Sequence, residues 1–198
     1  MSLYFIDIET TGLDPEQCQT IEVAAIEYGS TRPAFHCYIQ HPYYNFEHGR
    51  IKRLGFPEYR DGVPTYSVVD FKTMFRGYLY GQEVGPKSVT FGGKNVGTFD
   101  IPFLKKLMPG LAHKHRYVDI GNLYLQPGDN TPPDLAECMK RAGMVPIVPH
   151  TALEDAQICV TLFGYWRQEW LTLRSGQLLC TVSPTQSCDS TCGGMSKA

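Results

Sequence analysis

Apolar side chains alternate along Leu3–Thr10 with the two-residue period of a strand, but the alternation ends in acid at Asp7 and Glu9. Gly12 and Pro15 punctuate a turn. Thr20–Tyr28 reads as a second strand, with Ile21, Val23 and Ala25 alternating against Glu22, Ala24 and Ile26. Phe35–Gln40 reads as a third, after a break at Arg32-Pro33. An irregular stretch, His41–Tyr66, is rich in Tyr, Pro, Gly and basic residues. Val68, Phe71, Phe75 and Leu79 then recur at helical spacing over Ser67–Tyr80, with Ser67 placed to cap and Asp70 in the first turn. Ser88–Gly92 predicts a short strand and Thr98–Met108 a helix with Pro102 in its first turn. Tyr117–Tyr124 predicts a strand running into a helix, Pro133–Ala142 a helix stopped at Gly143, and His150–Leu173 the longest helix. Three strands followed by alternating strands and helices predict an α/β class, a mixed sheet flanked by helices.

Four carboxylates break this pattern. Asp7 and Glu9 share one face of the first strand, about 6–7 Å apart at their Cα atoms. Asp100 heads a stripe formed by Phe103, Leu104, Leu107 and Met108. Asp155 lies in line with Ala152, Cys159, Leu162 and Trp166. An acid at a helix N-terminus has an ordinary role as a cap or dipole partner, and that role fits Asp100 taken alone. It does not explain an acid aligned with an apolar stripe. Buried carboxylates need a basic partner or a metal. Four converging acids would form an all-oxygen site suited to Mg2+ or Mn2+, and a pair of such ions can hold both oxygens of a phosphodiester displacement. His150 precedes Asp155 by five residues. It is either an exposed loop histidine or a general base, since an unperturbed imidazole titrates at about pH 6.5.

Composition narrows the field only slightly. With 198 residues, 42% apolar and 19% charged, the chain suits one globular core. The expected division is a domain over 1–175 and a Ser/Thr/Gly-rich tail over 176–198. No apolar run has the length of a membrane span, and the N-terminus lacks the basic flank of a signal peptide. A net charge of −2 does not announce a nucleic-acid partner, although Arg50–Arg53, Lys105-Lys106 and His113–Arg116 are local basic clusters. The seven cysteines form no disulfide framework. Cys37 and Cys159 fall in apolar contexts as core thiols, and a reducing cytoplasm is the expected compartment.

Three ordered motifs carry a resemblance: Asp7-Ile8-Glu9-Thr10-Thr11-Gly12-Leu13, Asn95-Val96-Gly97-Thr98-Phe99-Asp100-Ile101-Pro102-Phe103-Leu104, and His150-Thr151-Ala152-Leu153-Glu154-Asp155-Ala156. Over residues 1–173 the chain resembles the DEDDh-type 3′→5′ exonucleases, the group of proofreading subunits, RNase T and oligoribonuclease. The resemblance implies an RNase H-like fold, a five-stranded mixed sheet with helices on both sides. It also implies two divalent ions, Mg2+ or Mn2+. Asp7, Glu9 and Asp155 would hold one, Asp7 would bridge to the second, Asp100 would act mainly through water, and His150 would be the general base. Thr10, Thr11 and Leu13 fall where members of the group contact the terminal nucleotide, and Asn95 and Phe99 of the second motif are further substrate-binding candidates. Lys94 departs from the histidine common at that place.

The activity implied is release of nucleoside 5′-monophosphates from single-stranded or frayed 3′ ends. DNA is favoured over RNA, because the paired threonines of the first motif resemble the proofreading type. The alternatives are a 3′ exoribonuclease of the same group, an endonuclease on the same fold, and a nucleic-acid-binding module without turnover. The aromatics of the His41–Tyr66 stretch either stack on bases or pack the loop onto the body. Neither a homodimer nor a polymerase or repair partner is selected by any motif.

Overall fold

The computed structural model describes residues 2–42, 44, 61–81 and 88–174. Most of the 41–66 stretch lies outside those residues, including Tyr43, Phe46, Phe56, Tyr59 and the Arg50–Arg53 cluster. The expected tail over 176–198 also lies outside them. The chain divides into two compact units, Met1–Trp166 and Arg167–Ala198.

The first unit is built on a mixed sheet. Its strands are β1 (Leu3–Thr10), β2 (Thr20–Glu27), β3 (Phe35–Gln40), β4 (Thr65–Ser67), β5 (Thr90–Gly93) and β6 (Val118–Asp119). They lie in the order β4-β3-β2-β1-β5-β6. β1, β2 and β3 form the antiparallel meander that their tight turns predict, while β4, β5 and β6 join in parallel. The sheet therefore has six strands rather than the five expected. The added strand is β4, three residues at the end of the stretch read as irregular. Pairing with β3 sets it, and the Tyr66 ring stacks with Phe35 at 6.5 Å. So short a run carries too little alternation to stand out in sequence.

Helices α1 (Val68–Tyr80), α2 (Asp100–Leu107), α3 (Ile120–Leu123), α4 (Leu135–Arg141) and α5 (Ala152–Arg174) complete the architecture. Ser67 caps α1 as expected, accepting a hydrogen bond from the Asp70 N–H at 3.2 Å. The helix expected from Thr98 starts at Asp100, because the N–H groups of Thr98 and Phe99 are taken by the Asn95 carbonyl in a turn. Asn95 holds φ at +57°, which its short polar side chain tolerates. Asp119 ends β6 and caps α3 by accepting from the Gly121 N–H at 2.9 Å. Asp134 caps α4, and Gly143 follows it at φ +74°.

The two faces of the sheet carry separate cores. Tyr4, Ile6 and Ile8 point to one face, against Phe71 and Phe75 of α1 and Ile101, Phe103 and Leu104 of α2. Phe5 points to the other, against Ile120, Met139, Cys159 and Leu162 of α3, α4 and α5. Each fully buried large side chain contributes about 1.5–3 kcal/mol. Cys37 and Cys159 are buried free thiols, as their apolar contexts predict. β5 reaches β1 closely because Gly93 has no side chain. A Cβ there would lie 2.6 Å from the Ile6 carbonyl oxygen. In the second unit, residues 167–174 are helical, with the Arg174 guanidinium 4.6 Å above the Trp170 ring. No helix among the described residues is long and apolar enough to cross a membrane.

Candidate active site

Because β1 alternates, Asp7 and Glu9 stand on the Phe5 face, under α5. Asp155, in the first turn of α5, points back at them. One carboxylate oxygen from each of Asp7, Glu9 and Asp155 lies within 4.8 Å of the others. Asp100 opens α2 and is 2% exposed, and Asp155 is 7% exposed. Asp100 Oδ1 and Asp155 Oδ1 are buried with no hydrogen-bond partner.

Electrostatics tie Asp100 to Asp7 and Glu9. Burial, then the charges of Asp100, Glu9, Asp155 and Glu22, push the Asp7 carboxyl well above the usual carboxylate range. Burial first, then Glu9 and Asp119, push Asp100 up, against lowering by the backbone N–H groups of Asp100 and Ile8. Burial raises Asp155 to about 6, with Glu154 and Glu22 adding to the rise and His150 opposing it. Hydrogen bonds to a lysine or arginine would have pulled these values down. Oxygen donors of like charge with unpartnered buried atoms suit a hard divalent cation, so the residues fit the metal site expected of them.

His150 is exposed and takes φ +58°, outside the helix that Ala152 begins. An imidazole there lies beside Asp155 and in contact with water. The remaining candidates are less uniform. Thr10 Oγ1 donates to the Gly12 carbonyl at 2.6 Å. Thr11 is buried, and its hydroxyl donates to Gln19 Oε1 at 3.3 Å and accepts from the Gln19 N–H at 2.9 Å. Both hydroxyls shape the turn after β1. Leu13 is 56% exposed at the tip of that turn. Asn95 is exposed and accepts from Lys94 Nζ at 2.6 Å, so the lysine that replaces a histidine is held at the second motif. The Phe99 ring is half-buried and sits 5.1 Å from Phe103.

Sequence reasoning missed two acids. Glu22 is 1% exposed and pairs in register with Glu9 across the β1–β2 ladder. His36 Nε2 lies 2.7 Å from its Oε1. The signal was present, since β2 is apolar on both faces and a strand of that kind is buried on both. Asp119 reaches Asp100 electrostatically, but its place follows from the β5–β6 pairing and no local pattern shows it.

A family model described as an exonuclease matches residues 4–163. Among solved structures, the chain is similar to E. coli Exonuclease I in complex with a dA16 oligonucleotide. Identity there is 16% and the TM-score 0.64, covering 84% of this chain and 41% of that one. It is similar also to the zinc-bound form of the E. coli ExoI–ssDNA complex. Identity there is 17% and the TM-score 0.65, over 88% of this chain and 42% of that one. The chain thus spans about two-fifths of the length of these structures. No curated protein matches it in sequence. The likeness in coordinates establishes the RNase H-like fold.

Proposed function

The chain belongs to the exonuclease family whose model covers residues 4–163, and from that premise we propose that it is a metal-dependent 3′→5′ exonuclease. It hydrolyses the terminal phosphodiester of single-stranded or frayed nucleic acid and releases nucleoside 5′-monophosphates. The carrying observation is the meeting of Asp7, Glu9 and Asp155 oxygens within 4.8 Å of one another, beside buried Asp100. Family members use divalent ions. Asp7, Glu9 and Asp155 would hold the first of two Mg2+ or Mn2+ ions, with Asp7 shared by the second and Asp100 contributing through water. When bound, the ions supply Lewis-acid polarisation and neutralise charge at the phosphate.

The chain's own groups do the rest. His150 accepts the proton of the attacking water as its oxygen bonds to phosphorus, and the bond to the 3′ oxygen breaks with that oxygen taking a proton from solvent water to leave as a hydroxyl. The exposure of His150 lets that proton pass to solvent. Leu13 offers an exposed apolar edge to the terminal nucleotide, and Asn95 and Phe99 are its further contacts from the second motif. Thr10 and Thr11 present backbone to it while their hydroxyls hold the turn. DNA is the favoured substrate, in keeping with the oligonucleotides bound by the E. coli structures. The catalytic domain spans 1–175, with 176–198 appended, and the cytoplasm is its compartment.

The test is digestion of matched 5′-labelled DNA and RNA oligonucleotides in Mg2+, Mn2+ and EDTA, beside a circular single strand. Stepwise shortening from the 3′ end, faster on DNA, blocked by EDTA and absent on the circle, is expected. Cleavage of the circle would mean an endonuclease. Binding without cleavage in either metal would mean a module that does not turn over.

A further inference from the structure

Glu22 faces the proposed metal site but is not part of it. Opposed residues of an antiparallel pair share a face, with Cβ atoms about 4.5–5.5 Å apart. Glu22 is opposed to Glu9, and its charge is felt at Asp7 and at Asp155. At 1% exposure its carboxylate cannot turn out to water. It can turn toward the acid cluster or away from it. The mutually close oxygens come from Asp7, Glu9 and Asp155 and not from Glu22. The group on the other side is His36 of β3, paired in register with Ala24 of β2 and therefore diagonal to Glu22. Its Nε2 lies 2.7 Å from Glu22 Oε1.

We propose that His36 is a positioning residue that draws the buried Glu22 carboxylate toward β3 and keeps it from becoming a further ligand at the Asp7–Glu9–Asp155 site. This rests on the nuclease reading. The four acids Asp7, Glu9, Asp100 and Asp155 already balance two divalent charges, and catalysis needs positions left open for water and phosphate. A further carboxylate would fill one of them. Without His36, Glu22 is left buried and unpaired, and the nearest compensation for its charge is the bound cation.

The test compares His36→Phe, which removes the hydrogen bond and keeps a ring, with His36→Gln, Glu22→Gln and the double variant His36→Phe/Glu22→Gln. Thermal melts fix a working temperature below every transition. His36→Phe is expected to lower kcat by about 10–100-fold with little change in KM, and to bind Mn2+ more tightly by calorimetry. His36→Gln, which keeps an amide donor, is expected to stay near wild type. The double variant is expected to recover the rate of Glu22→Gln alone. A merely structural pair would show no such rescue, so a double variant as slow as His36→Phe overturns the proposal. So does a His36→Phe protein with wild-type kcat and Mn2+ affinity. Should His36→Phe fail to fold, His36→Asn, too short for the 2.7 Å contact, replaces it under the same criteria. If the wild-type protein releases no nucleotide, the nuclease reading falls. The Mn2+ titration then still decides whether tighter binding in His36→Phe depends on Glu22.

Discussion

Replacing Asp155 by Asn should make the metal-free protein more stable while stopping turnover. The Asp155 carboxyl is raised from an ordinary 3.8 to about 6, chiefly by burial. A carboxyl with a raised folded value binds more protons folded than unfolded between those two pH values. Stability therefore falls as pH rises from about 4 to about 6, and the loss is complete above that window. A shift of about two units is worth about 3 kcal/mol if fully expressed. Water at the mouth of the site screens part of it, leaving about 1–3 kcal/mol. Asparagine fills the same space and cannot ionise, so it avoids the loss. For a chain of this size 1 kcal/mol moves Tm by about 2–4 °C, which sets the expected gain at about 2–12 °C. The assay is thermal melting of both proteins in EDTA at pH 8 and near pH 4. The variant should melt higher at pH 8, the two should converge near pH 4, and Mn2+ should raise the wild type more than the variant. A variant that melts lower than wild type in EDTA at pH 8 would show that Asp155 is already satisfied by the protein, and the reasoning would be wrong.

Other substitutions probe separate parts of the site. Asp7→Asn should abolish nucleotide release and leave far-UV circular dichroism unchanged, because it removes the ligand proposed to be shared by both ions. His150→Gln should lower kcat by about 10²–10⁴-fold while Mn2+ binding persists, as measured by single-turnover kinetics and calorimetry. Gly93→Ala places a methyl 2.6 Å from the Ile6 carbonyl oxygen, so β1 must shift next to Asp7. It should cost about 1–3 kcal/mol in urea unfolding and reduce activity together with stability.

The meander and the acids of the first motif were legible because a strand's two-residue period puts Asp7 and Glu9 where Phe5 also points. Asp100 and Asp155 were legible for a related reason. Each interrupts an apolar stripe, and the structure buries both. What sequence did not show depends on partners distant along the chain. β4 exists because β3 offers it an edge, and Glu22 matters because β2 carries it opposite Glu9 and within reach of His36. The later start of α2 and the positive φ of Asn95 and His150 come from turn geometry that apolar spacing does not encode.

The most direct test is a calorimetric titration of Mn2+ into the metal-free protein at pH 8 with a nucleoside 5′-monophosphate present, repeated on Asp7→Asn. Two ions bound per chain in the wild type, and loss of that stoichiometry in Asp7→Asn, are expected. Binding that is absent from the wild type, or unchanged by Asp7→Asn, would contradict a cation site built from these acids.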